Sequence, residues 1–190
     1  MKLERILSFC RSLLSSAVEQ GGIAVDATAG NGHDTAFLAE CVGDGGHVYG
    51  FDIQEEAIAN TAERLEKAGL TARTTLFKES HDTISQHIPS VYHGKISAAV
   101  FNLGYLPGGN KGIVTVPSST IAAVEQLLTL LKPQGIIVLV IYHGHPQGQE
   151  EKNAVMQFAE GIDQNDAHVL KYQYLNQKNN APFLIAIEKR

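Results

Sequence analysis

Apolar and polar positions along the chain fall into two alternating periods. Leu3, Ile6, Leu7, Cys10, Leu13, Leu14 and Val18 recur three and four apart, which predicts a helix over 3–19. A short apolar run at 23–26 reads as a buried strand. Helical spacing returns at 33–40 and is closed by the turn-rich Gly43-Asp44-Gly45-Gly46. A second strand follows at 47–52, then a strongly periodic helix at 55–68 with Gly69 as its stop. Strand-like alternation at 73–78 precedes a short helix at 82–88. A buried strand at 96–102 leads into a glycine-rich loop at 104–112, and a helix at 118–131 ends before Pro133. The most apolar strand, 135–142, is expected to be central. A helix at 149–160 precedes two strands, 169–175 and 182–188, joined by a hairpin-type connection. Strand and helix thus alternate through most of the chain. That order implies an α/β fold, with a mostly parallel sheet, helices on both faces and one antiparallel strand from the terminal hairpin.

Composition changes this picture little. The 190 residues, 44% apolar and 18% charged, suffice for one domain with a buried core. No repeat, linker or second domain is evident. No apolar run approaches a membrane span, and charges interrupt the first helix, unlike a secretory signal. Cys10 and Cys41 lie on apolar helix faces and read as core thiols, so a cytoplasmic location is the default. The net charge of −5 requires any nucleic-acid contact to use a local patch.

Candidate chemistry begins at Asp26-Ala27-Thr28-Ala29-Gly30-Asn31-Gly32-His33-Asp34-Thr35, between the first strand and its helix. In a doubly wound sheet, ligands sit beyond the carboxyl ends of the strands, near the reversal of strand order. Gly30 and Gly32 allow backbone to turn sharply and approach a ligand. Asp52 stands twenty residues after Gly32, at the end of the second strand, where a carboxylate accepts hydrogen bonds from ribose hydroxyls. Ile53 offers adenine an apolar face, and Gln54 an amide. NAD, FAD and S-adenosylmethionine all fit a glycine loop with a ribose-binding acid. Asp34 in the first helical turn repels a pyrophosphate but suits a sulfonium and an ammonium, which favours S-adenosylmethionine. The plainer alternative is that Asp34 caps its helix.

The second constellation is Phe101-Asn102-Leu103-Gly104-Tyr105-Leu106-Pro107-Gly108-Gly109. The Asn102 side-chain carbonyl and a following backbone carbonyl can accept hydrogen bonds from an amine and aim its lone pair at a methyl donor. Methyl transfer is an in-line displacement, so positioning supplies much of the acceleration. Carbonyl acceptors also stabilise the positive charge developing on nitrogen. Tyr105 can stack on a planar base. The run resembles the Asn/Asp-Pro-Pro-Tyr motif of amino-group methyltransferases, with Gly104 in place of a proline. The alternative is a glycine-rich turn with a half-exposed tyrosine.

Tyr142-His143-Gly144-His145 follows the central strand. Two histidines alone make a poor metal site. We read Tyr142, His143 and His145 as lining a substrate mouth, with His143 as a candidate acceptor for the amine proton. Pro107 and Lys111 belong to the loop facing the substrate; Lys111 is either a phosphate contact or a solvated lysine. Lys152, Lys171, Lys178, Lys189 and Arg190 form a local basic edge if they share a face.

Together these stretches, with Phe51-Asp52-Ile53-Gln54-Glu55-Glu56-Ala57-Ile58, Ser80-His81-Asp82 and the ending from Asn176 to Lys189, make nearly the whole chain resemble one family. It is similar to the YtqB-like, or MnmM, methyltransferases, small bacterial proteins once labelled rRNA methylases. The resemblance implies a class I Rossmann-like fold with a seven-stranded sheet. It implies S-adenosylmethionine as cofactor, the tRNA anticodon stem-loop as partner and a homodimer. The implied reaction methylates the aminomethyl nitrogen of 5-aminomethyl-(2-thio)uridine at wobble position 34. By position, Asp26, Gly30, Asn31, Gly32, Asp34 and Thr35 would hold the methionine part. Asp52, Ile53 and Gln54 would hold the ribose and adenine side, with Ser80 and His81 at the adenine edge. Asn102 would face the reacting centre beside the cofactor, Gly104 would contact the cofactor, and Tyr105 would stand near the incoming base. An enzyme acting on rRNA or a small amine remains an alternative, as do an NAD-dependent oxidoreductase and a non-catalytic cofactor-binding regulator.

Overall fold

In the computed structural model, residues 2–190 are described except 105, 107, 110, 111, 113 and 145. The elements run α1 (Ile6–Ala17), β1 (Ile23–Asp26), α2 (His33–Val42), β2 (His47–Phe51), α3 (Glu55–Ala68), β3 (Thr74–Phe77) and α4 (Ile84–His87). They continue β4 (Ile96–Leu103), α5 (Pro117–Leu130), β5 (Leu131–Ile141), α6 (Pro146–Glu160), β6 (Ala167–Tyr172) and β7 (Phe183–Lys189). The seven strands form one sheet in the order β3-β2-β1-β4-β5-β7-β6. β1 to β5 are mutually parallel, and β7 runs antiparallel between β5 and β6. This is the mostly parallel sheet with an antiparallel C-terminal strand that the alternation predicts. Strand order reverses between β1 and β4, so their carboxyl ends flank a crevice.

Period-two alternation sorts the core onto both faces. Ala98, Val100, Val138 and Val140 point to the side covered by Ile6, Cys10 and Leu14 of α1, Leu38 of α2 and Leu65 of α3. Ala99, Phe101, Leu103, Ile137 and Leu139 face Ile84 of α4, Val124 and Leu127 of α5 and Val155 of α6. α1 lies across β4 and β5, which brings its outer residues to the rim of the crevice. Cys10 is a core thiol; its burial, with the nearby Asp34 charge, pushes it up to about 12. Among the described residues no helix is long and apolar enough to cross a membrane.

Several boundaries differ from the sequence reading; α6 starts three residues earlier, at Pro146, and β6 spans Ala167–Tyr172. α1 starts at Ile6, because Arg5 is extended and Leu3 stays exposed without meeting the core. β5 starts at Leu131, pairing with Ile96 across a register shift that accommodates Lys132, Pro133 and Gln134 as a bulge. The expected helix at 82–88 begins as a 3-10 turn, His81–Thr83, before α4.

Gly32 shows why the loop after β1 needs glycine. It stands just before α2 with φ 77, and a Cβ there would lie 2.9 Å from the Thr61 Cα of α3. We expect Gly32→Ala to lose about 1–3 kcal/mol of stability, read from the denaturant midpoint. An unchanged midpoint would show that the contact with α3 does not constrain the loop.

Candidate active site at the switch point

The loop from β1 to α2 is held from beneath. Asp26 is fully buried; its Oδ2 accepts from Thr35 Oγ1 at 2.6 Å and its Oδ1 from the Thr28 amide at 3.1 Å. The Thr28 hydroxyl accepts from the Asn102 amide at 2.7 Å, which ties the loop to the end of β4. Asp52, at the end of β2, accepts from the Gly30 amide at 3.0 Å and from the Gln54 amide at 2.9 Å. α3 anchors the other side. Thr61 donates to the Gly30 carbonyl at 3.0 Å, Arg64 Nε to the Asn31 carbonyl at 2.6 Å, and Asn60 to Asn31 Oδ1 at 3.0 Å.

Above this frame lie two adjoining hollows. The larger, about 770 Å³, is bounded by Leu7, Ser8 and Arg11 of α1, the glycine loop, Asn102 and Tyr142. The smaller, about 190 Å³, is bounded by Asp52, Ile53, Gln54, Ser80 and His81, and by Thr115 on the far wall. Thr28, Gly30, Asn102 and Gly104 border both, so the two form one groove with Asn102 at its junction. Ile53 is 54% exposed, an apolar surface presented to the smaller hollow.

Asn102 is oriented by its neighbours. Its Nδ2 donates to Asp34 Oδ2 at 2.8 Å, and Arg11 Nη2 sits 3.5 Å from Asp34 Oδ1. The network therefore fixes the amide, with Oδ1 on the side away from Asp34. The following carbonyls are engaged, Leu103 by the Tyr142 amide at 3.0 Å and Gly104 by the Thr115 amide at 3.1 Å. The Asn102 side chain is thus the open acceptor of the pair that the sequence suggested.

His81 Nδ1 lies 3.1 Å from the Ala27 carbonyl, an acceptor, so this nitrogen carries the proton. Burial holds the ring below its ordinary pKa and keeps it neutral. Its Nε2 is then a buried acceptor without a partner beside the smaller hollow.

Several of the expected residues lie behind the groove or apart from it. Asp26, Gly32 and Thr35, assigned to the methionine part of a cofactor, border neither hollow. Asp26 and Thr35 are wholly buried and bonded to each other, and Gly32 packs on α3. They shape the loop from behind. His143 borders the larger hollow, and its ring packs edge-on against Phe183. Its Nδ1 is shut off from solvent, so a proton released in the groove does not reach that nitrogen directly. Burial first, and the Lys152 charge second, lower its pKa. The basic edge also divides. Lys189 donates to the Leu131 carbonyl and Arg190 to that of Gln164, at the sheet end remote from the groove. Tyr105, Pro107, Lys111 and His145 lie outside the described residues. Sequence reasoning missed Leu7, Ser8 and Arg11, which line the groove from a helix that carries no motif, and gave no role to Asn180, which lines it from the ending between Asn176 and Lys189.

Burial, then the Asp34 charge, pushes the Asp26 carboxyl from 3.8 up to about 7, against the hydrogen bonds from Thr35 and Thr28. The folded chain therefore keeps a proton that the unfolded chain gives up. The resulting stabilisation is complete below the unfolded pKa near 3.8 and is lost as pH rises through about 7. Between about pH 5 and pH 8 the wild-type Tm should fall more steeply than that of Asp26→Asn, by a few degrees. Parallel curves would contradict this assignment.

A family model described as "Putative rRNA methylase" matches residues 48–188. The chain is 39% identical over 181 residues to the chloroplastic tRNA (mnm(5)s(2)U34)-methyltransferase of Arabidopsis thaliana, an alignment covering 91% of this chain and 65% of that protein. The chain thus spans just under two thirds of that relative's length. A solved structure of a "putative rRNA-methylase" from Clostridium thermocellum matches with a TM-score of 0.96 at 42% identity, over the full length of both chains. A "putative methyltransferase" from Streptococcus mutans, solved in complex with SAH, matches with a TM-score of 0.89 at 37% identity over 99% of each chain.

Proposed function

The chain belongs to the family described as "Putative rRNA methylase", and from that premise we propose that it is an S-adenosylmethionine-dependent methyltransferase acting on tRNA. Its substrate in this reading is the aminomethyl nitrogen of 5-aminomethyl-(2-thio)uridine at wobble position 34. The observation that carries the chemistry is Asn102, held by Asp34 so that an unengaged carbonyl stands where the two hollows meet. The name of the Arabidopsis relative supports the choice of nucleoside. The reading takes the chain as one methyltransferase domain, and the motif resemblance adds a cytoplasmic homodimer.

The groove fits the cofactor. Asp52 keeps lone pairs for ribose hydroxyls beyond its two amide bonds, and Ile53 offers adenine a flat apolar contact. The unpartnered Nε2 of His81 is an acceptor suited to an exocyclic amine. Asp34 in the first turn of α2 disfavours a pyrophosphate there. Ala29, Gly30 and Asn31 line the half suited to the methionine part, and Arg11 presents it with a guanidinium. When bound, S-adenosylmethionine supplies an electrophilic methyl group on a sulfonium.

The chain's own residues orient the acceptor. Asn102 Oδ1 accepts a hydrogen bond from the neutral amine, directs its lone pair into the groove, and stabilises the charge that grows on nitrogen. Asp34 holds the Asn102 amide, and Tyr142 is 37% exposed at the mouth where a planar base can stack.

Calorimetric titration with S-adenosylmethionine, its demethylated product and NAD tests the cofactor; heat from NAD alone would end the methyltransferase reading. Mass spectrometry of wobble nucleosides from cells lacking the gene tests the substrate. Accumulation of the unmethylated aminomethyl form is expected, and an unchanged nucleoside profile would remove the tRNA assignment.

A further inference from the structure

Glu151, on α6, is a carboxylate only 2% exposed. Its Oε1 accepts from the Thr120 hydroxyl of α5 at 2.8 Å, and its Oε2 accepts from the Thr115 hydroxyl. Thr115 in turn accepts from the Gly104 amide at 3.1 Å, and its own amide donates to the Gly104 carbonyl at 3.1 Å. Gly104 borders both hollows, two residues beyond Asn102, and Thr115 forms part of the smaller hollow's wall. A path of hydrogen bonds therefore runs from a buried acid to the junction of the groove.

From this geometry we propose that Glu151 is a positioning residue for methyl transfer, setting Gly104 and the end of β4 through the Thr115 hydroxyl. The proposal rests on the methyltransferase reading above. Its physical basis is the polarity of the path. A carboxylate only accepts, so the Thr115 proton must point at Glu151, leaving a hydroxyl lone pair for the Gly104 N–H. Both bonds of Gly104 to Thr115 then hold together. Withdrawing a carboxylate from water is costly unless hydrogen bonds compensate it, and the two hydroxyl donors contribute to that compensation. A neutral hydroxyl–hydroxyl contact would join α5 and α6 more cheaply, but it would leave the Thr115 proton free to turn. Directionality at Gly104 is what the acid adds.

Glutamine at 151 keeps the shape but replaces one acceptor by a donor. Glu151→Gln and Thr115→Val should each lower kcat about tenfold to a hundredfold, since misplacement by about 1 Å costs up to 10² in rate. Calorimetric affinity for S-adenosylmethionine should stay within about threefold in Glu151→Gln, because Asp52, Ile53, His81 and the wall of the smaller hollow are untouched. Thr115→Ser, which keeps the hydroxyl, should restore most of kcat. The double variant should be no slower than the slower single one, because both break one path. Amide exchange at Gly104 should quicken in Glu151→Gln and Thr115→Val but not in Thr115→Ser. Unchanged kcat, strictly additive losses, or unchanged exchange at Gly104 would overturn the proposal. If the wild-type protein transfers no methyl group to tRNA, the functional reading fails, and exchange at Gly104 still decides whether Glu151 sets that amide.

Discussion

Asn102→Ala should slow methyl transfer by about 10² to 10³ while leaving affinity for S-adenosylmethionine within about tenfold. The side chain stands at the junction of the two hollows with its Nδ2 committed to Asp34, so truncation removes the acceptor facing the amine. That acceptor acts most strongly in the transition state, where the amine nitrogen becomes cationic, so the loss belongs in kcat. Losing one preorganised partner of developing charge costs about 3–4 kcal/mol in comparable sites. Asp34 keeps Arg11 as a neighbour after the substitution, and the backbone bond from Asn102 to Thr28 survives, so the loop is retained. Single-turnover kinetics at saturating cofactor, set beside a calorimetric titration, separate the two quantities. Weakened binding with normal turnover at saturation would contradict the role given to Asn102.

Asp52→Ala should produce the opposite division. The carboxylate bonds the Gly30 and Gln54 amides, and in our reading it also accepts from the ribose. Hydrogen bonds to a charged group contribute about 1.5–3 kcal/mol each, so the S-adenosylmethionine Kd should rise about 10² to 10³. Turnover at saturating cofactor should fall by less than about tenfold, because Asp52 is remote from the reacting atoms. Asp52→Asn, which keeps one acceptor but turns a donor toward an amide donor, should bind with intermediate affinity. If Asp52→Ala binds as tightly as the wild type, the adenosine does not lie over β2.

Much of the frame was legible because it depends on local rules. Short apolar runs, and alternation at 73–78, located all seven strands, and the abrupt passage from 23–26 into a glycine loop marked the end of β1 as a candidate ligand edge. Asp52 and Ile53 stood out because a carboxylate at the end of the second strand has one usual use in this topology. What could not be read was the direction of each polar side chain. Asp26 and Asp34 look alike in the motif, yet one is wholly buried under the loop and the other faces the groove. Only packing separates them. Arg11 looked like an ordinary polar helix position, because the crossing of α1 over β4 and β5 is a tertiary fact. Glu150 and Glu151 are adjacent carboxylates on one helix; 150 is exposed and 151 lies against α5 and Thr115. Periodicity marks which helix face is buried, but not which polar group on that face meets a partner from another segment.

The most direct test is methyl transfer by the purified protein to tRNA carrying 5-aminomethyl-2-thiouridine, with methyl-labelled S-adenosylmethionine and mass spectrometry of the digested nucleosides. The account predicts label in 5-methylaminomethyl-2-thiouridine at position 34, with Asn102→Ala slower by about two orders of magnitude. Label on another nucleoside, or no transfer by a protein that binds the donor, would contradict it.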